Sequence, residues 1–143
     1  MKFSTSALAA LLLTTLSPSV HAGFAVGVGY PYGGVIGIQY SQQQQQHLWT
    51  GAVGVVGAAV GYHYVLDVRQ QHSVGVVFGM ESISSEQGFA ALQYSYYLAG
   101  ANNVGWVAGV NLGTRREDAG SFYASRAERS NKTLLGLHLG YRF

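Results

Sequence analysis

From Gly23 onward, large apolar residues alternate with small or polar ones, and no stretch places apolar residues at i, i+3, i+4 and i+7. Period two is the mark of a strand whose faces meet different surroundings. Phe24, Val26, Val28 and Tyr30 oppose Ala25, Gly27 and Gly29 in the first segment; Ile36, Ile38 and Tyr40 oppose Gly37 and Gln39 in the second, Val35 to Ser41. Leu48 to Arg69 is about twice the ~9–11 residues of a tilted membrane strand, so it divides at Gly57-Ala58-Ala59. Trp49, Val53 and Val55 then form one large face, and Val60, Tyr62, Tyr64, Leu66 and Val68 the next. Val74, Val76, Phe78 and Met80 mark a fifth strand, Leu92, Tyr94, Tyr96 and Leu98 a sixth, and Val104, Trp106, Val110 and Leu112 a seventh. The last is the most regular: Leu135, Leu137, Leu139, Tyr141 and Phe143 face away from Gly136, His138, Gly140 and Arg142.

Alternation alone also fits a soluble barrel or sandwich with its large residues inside, so the small face decides. With the large face as core, water would meet Gly27, Gly29, Gly37, Gly54, Gly61, Gly75, Gly79, Gly105, Gly109, Gly136 and Gly140, with almost no charge to keep strand edges soluble. The inverted arrangement resolves this. Large residues face hydrocarbon, small and polar residues face a narrow lumen, and closure pairs every backbone group that lipid cannot satisfy. The expected fold is therefore all-β: a closed antiparallel transmembrane β-barrel of about eight strands. With the amino terminus in the periplasm, Phe24, Tyr40, Trp49, Tyr96, Trp106, Tyr141 and Phe143 fall near the periplasmic rim, and Tyr30, Tyr32 and Tyr62 near the outer rim.

Composition agrees with that surface. Charged residues make up 10% of the 143, against about 25% in soluble domains. The net charge of +2 rests on scattered, mostly Arg cations with no basic stripe, which argues against a nucleic-acid partner. Cysteine is absent, which removes disulfides and thiolate metal sites. Residues 1–22 read as a secretory signal: Lys2, an apolar run from Ala7 to Leu16, then Val20 and Ala22 as the small residues before a cut. The run is shorter than the ~20 residues of a spanning helix. The expected barrel domain is 23–143, and its address the cell outer membrane.

The ending Leu135-Gly-Leu-His-Leu-Gly-Tyr-Arg-Phe143 resembles the carboxy-terminal assembly signal of bacterial outer-membrane barrels. The mature chain is similar in pattern to the small eight-stranded class that includes the OmpA transmembrane domain and OmpX. The resemblance implies recognition of Leu139, Tyr141 and Phe143 by the barrel-assembly machinery. Long polar segments at Ser82 to Gly88 and Arg115 to Asn131 suit outer loops, and Gly100 to Asn103 suits an inner turn. Pro31 to Gly34 and Gly57 to Ala59 make unusually tight outer loops, and Gln42 to Gln46 a long, solvated inner turn.

Ionisable strand residues are His63, Asp67, Arg69, Glu81, His138 and Arg142, all assigned to the lumen face. Buried charge persists only when compensated, so Asp67 is expected to pair with Arg69 or Arg142 in a polar network that plugs the barrel. Proton-path and narrow-pore readings remain alternatives. A lipid-modifying enzyme, of the lipid A deacylase or acyltransferase type, needs a nucleophile beside a base. His72 and Ser73 lie on opposite faces, and no His-x-Ser-Asn stretch occurs, so no catalysis is expected. Dispersed histidines argue against a metal, and Gly-x-Gly pairs without a following helix against a phosphate cradle, so no cofactor is expected. The surface candidate is the charged segment holding Arg115, Arg116, Phe122, Tyr123, Arg126 and Arg129, which suits lipopolysaccharide or a partner protein. The expected role is structural or surface-interacting, with outer-membrane lipid as surroundings and the oligomeric state open.

Overall fold

The computed structural model describes residues 20–82, 85–118 and 129–143. Alternating residues supply strands β1 Val20–Gly29, β2 Gly34–Gln44, β3 His47–Gly54, β4 Gly57–Val65, β5 His72–Glu81, β6 Ser85–Tyr97, β7 Gly105–Asp118 and β8 Arg129–Arg142. They form a closed antiparallel barrel of eight strands in sequence order. Closure runs through β1 and β8, where Ala25 to Val28 pair with Arg142 to Leu139. Every strand of the ring pairs with a neighbour on both sides, so closure addresses the edge problem that charge leaves open in this sequence.

The barrel has a base, where β1 begins and β8 ends, and a crown at the opposite end. Several expected boundaries move. The β3–β4 turn lies at Val55-Val56, so Gly57 to Ala59 belongs to β4, which ends at Val65 and leaves Leu66 to Gln71 as a base turn. The glutamine run is mostly strand: Gln42, Gln43 and Gln44 pair with Trp49, Leu48 and His47, and only Gln45 and Gln46 turn. Gln45 takes a positive φ of 56°, which a two-residue hairpin requires. β7 and β8 also run past the expected loop boundary, pairing Arg115 with Lys132 and Asp118 with Arg129. β1 starts at Val20, so the last three residues of the expected leader pair with Gln42 to Gln44.

The two faces segregate as the alternation requires. Phe24, Val26, Ile38, Val53, Val60, Val74, Leu92, Val110, Leu135 and Leu137 are exposed on the outside. Inside, an apolar cluster of Ala25, Tyr32, Leu48, Val65, Tyr97, Ala101 and Val107 fills the lower barrel, and Ala59, Val77, Phe89, Ala91 and Leu134 fill the upper part. Ala101 enters the lower cluster from the β6–β7 turn, whose backbone is tied to the β4–β5 turn by Ala101 N–H to Gln70 O at 2.7 Å. Eight-stranded barrels have just enough interior for side chains, and this one uses it.

Candidate functional site

The chain leaves β1 and turns into the lumen instead of over the rim. Tyr30-Pro31-Tyr32 forms a single 3-10 turn, stopped by Gly33 in the left-handed conformation at φ 78°. Pro31 pre-sets the turn, and a glycine takes the left-handed position without a Cβ clash. Tyr32 is only 2% exposed. Its ring occupies space that the glycines of β1 and β8 leave open: a Cβ on Gly27 would sit 2.6 Å from it, and one on Gly140 would overlap the phenol oxygen. Gln39 Nε2 donates to the Pro31 carbonyl at 3.0 Å, satisfying that buried turn. Tyr30 packs edge-on against Phe89 at 5.0 Å. Both tyrosines, expected at the outer rim, are therefore lumen plugs.

A polar layer lies beside this plug. Ser95 Oγ is 3.0 Å from His138 Nε2, and His138 Nδ1 is 3.2 Å from the Asn111 amide. Gln93 Nε2 donates to Ser95 Oγ at 2.8 Å. The spacing is that of a nucleophile, a base and a group that orients the base. Ser95 and Asn111 are 0% exposed, so the hydroxyl lies buried in the barrel interior. The cluster leaves no local mark in the sequence, because Ser95 and His138 stand 43 positions apart and meet only through the pairing of β6, β7 and β8. His63, on β4, lies 3.4 Å from Thr50 through its Nε2.

Asp67 does not form the ion pair expected of it. Asp67 and Arg69 lie in the base turn, where Asp67 Oδ1 accepts the backbone N–H groups of Gln71 and His72, each at 2.8 Å. Among the described residues Asp67 pairs with neither Arg69 nor Arg142. Arg69 is exposed. Arg142 is buried, donates to Ser41 Oγ at 2.8 Å and lies over the Tyr97 ring at 5.6 Å, so neutral groups solvate its charge. Glu81 is buried at the crown near Gly34. Arg115 is half-buried there and donates to the Tyr30 hydroxyl at 3.3 Å, while Arg116 faces outward and is exposed. Arg129 opens β8, and Phe122, Tyr123 and Arg126 lie outside the described residues.

Around the outside of the base runs a row of rings with a member on every strand. Phe24 meets Tyr40 at 5.3 Å, Trp49 meets Tyr62 at 4.6 Å, and Trp106 meets Tyr141 at 5.3 Å, with Phe143 next at 5.5 Å. Leu139, Tyr141 and Phe143 thus lie on the outward face of the last strand. Tyr62 belongs to this base row and not to the crown. The earlier β3–β4 turn sets Trp49 opposite Tyr62.

Within the row, one arrangement occurs twice. His47 pairs across the sheet with Tyr64, and its Nδ1 is 2.6 Å from the Tyr62 hydroxyl; His72 pairs with Tyr96, and its Nδ1 is 2.7 Å from the Tyr94 hydroxyl. Above Tyr94 an outward apolar groove of about 430 Å³ follows β6 between Val74 and Val76 on one side and Val110 and Leu112 on the other. A second groove of about 440 Å³ continues over Leu92 and Ala90 to Thr114 and Thr133.

Comparison of the chain with protein-family models, with curated proteins and with solved structures gives no match.

Proposed function

We propose that this chain is an exported integral outer-membrane protein whose barrel crosses the bilayer with its base toward the periplasm, in a structural or surface-interacting role without catalysis. The observation that carries the reading is the outward face: large apolar side chains cover the outside of the barrel while Gln39, Gln43, His63, Asn111, His138 and Arg142 are buried within it. Monomeric soluble proteins rarely expose contiguous apolar patches beyond a few hundred Å². At a rise of ~3.4 Å per residue and a tilt of ~40°, the outward row from Leu135 to Phe143 covers about 20 Å of height, near the ~25 Å apolar band of such barrels. The aromatic row then lies at the periplasmic interface, where amphipathic rings concentrate.

The filled lumen favours a plugged barrel over a narrow pore. Cleavage after Ala22 would remove the residues paired with Gln42 to Gln44 and leave Gly23 opposite Ser41 as the first pair. Leu139, Tyr141 and Phe143 then present the side chains that the barrel-assembly machinery would read. Arg116, exposed above the apolar band, suits contact with lipopolysaccharide at the outer surface. Gel migration of the protein from an outer-membrane fraction, with and without boiling, tests the reading. A shift on boiling is expected of a folded barrel; unchanged mobility, or recovery in the soluble fraction, contradicts it.

A further inference from the structure

The groove on the outside of β5, β6 and β7 has the polarity of a lipid molecule. It is lined by Val74, Val76, Leu92, Val110 and Leu112, whose side chains offer only dispersion contact and apolar area. Toward the base it ends at Tyr94, whose hydroxyl is hydrogen-bonded to His72. The His72 ring also lies against Tyr96 at 5.1 Å. Where the Tyr94 phenol donates to Nδ1, the neutral imidazole carries its proton on Nε2. In that tautomer the far side of His72 offers an N–H donor beside the base end of an apolar channel.

We propose that this surface holds a phospholipid of the periplasmic leaflet, with one acyl chain in the groove along β6 and the head-group phosphate on His72 Nε2. The inference rests on the barrel crossing a membrane, since only then does the groove face acyl chains. Neither half of the arrangement would select a lipid alone. The groove accepts any alkyl chain, and the imidazole any anion. Joined at Tyr94, they favour a molecule with a phosphate one end and a chain at the other. The His47, Tyr62 and Tyr64 cluster repeats the head-group half on β3 and β4, as a ring of lipids around the base requires.

The test uses the full mature barrel folded in detergent micelles, titrated with dioleoylphosphatidylglycerol, with dioleoylglycerol and with glycerophosphate, and read by native mass spectrometry. The wild type is expected to retain the phospholipid, with both fragments held far more weakly. His72→Ala and the milder His72→Gln should each weaken retention roughly tenfold, the scale of one charge-assisted hydrogen bond. Val110→Trp, which fills the groove, should weaken it at least as much. Heat-modifiable mobility is measured on every sample. A folded wild type that holds no phospholipid overturns the lipid site and leaves the barrel reading intact. Equal retention by both His72 variants, or equal binding of dioleoylglycerol, removes the head-group contact and overturns the proposal, as does equal binding of glycerophosphate. A wild type that fails to insert into vesicles contradicts the membrane reading itself.

Discussion

Replacing Tyr32 by alanine removes the ring that fills the lumen between β1, β2 and β8, where it is 2% exposed. An aromatic side chain buries roughly 150–250 Å², and aromatic-to-alanine changes in packed interiors cost about 3–5 kcal/mol. Water entering beside Gln39 and His138 offsets part of that cost, so a loss near 3 kcal/mol is expected. Gly140→Ala perturbs the same contact from the other side, because the three nearest atoms its new methyl meets all belong to Tyr32. Overpacking of this kind costs roughly 1–3 kcal/mol. The two changes must therefore couple. In the Tyr32→Ala background the methyl enters a void and its cost should fall by at least about 1 kcal/mol. Gly51→Ala is the control, since a Cβ there meets nothing within 4 Å. Urea titration of the barrel folded in micelles, followed by tryptophan fluorescence and gel mobility, measures all four variants. A Tyr32→Ala barrel as stable as wild type, or strictly additive costs with Gly140→Ala, would refute the plug.

Two further outcomes follow from the site geometry. Asp67→Ala should cost about 1–2 kcal/mol by releasing two backbone amides, with faster hydrogen exchange at Gln71 and His72, and little change with salt; a strong salt dependence would restore the ion-pair reading. Ser95, sealed beside His138, should not react with a fluorophosphonate probe while the barrel is folded, and labelling abolished by Ser95→Ala would return the enzymatic alternative.

The outer surface was legible because period two in the sequence is the geometry of the strand itself. Leu135 to Phe143 could be assigned to faces without knowing any partner. Glycine at 27, 37, 136 and 140 marked the inner face for the same reason. Positions that depend on where a strand turns were less accessible. Placing the β3–β4 turn two residues late put Tyr62 at the wrong end of its strand. Tyr30 and Tyr32 read as rim aromatics because alternation carries no sign that a turn folds inward. That sign lay in the glycines, whose missing side chains match the ring they receive. Asp67 looked like a lumen charge because Leu66 and Val68 prolong the alternation past Val65, where pairing ends. Ser95, Asn111 and His138 were invisible as a group, since their contact depends on the register of three strands.

The central claim is that the outward face meets hydrocarbon. The chain contains no cysteine, so single substitutions place a spin label at one site at a time. Leu135→Cys, Leu137→Cys and Leu139→Cys sample the exposed apolar row of β8, and Asn131→Cys samples the same face above it. In the barrel reconstituted into vesicles, labels at the three leucine positions should be relaxed by oxygen and shielded from a water-soluble nickel complex, with the preference reversed at Asn131. Labels at 135, 137 and 139 open to the nickel complex throughout would contradict the account.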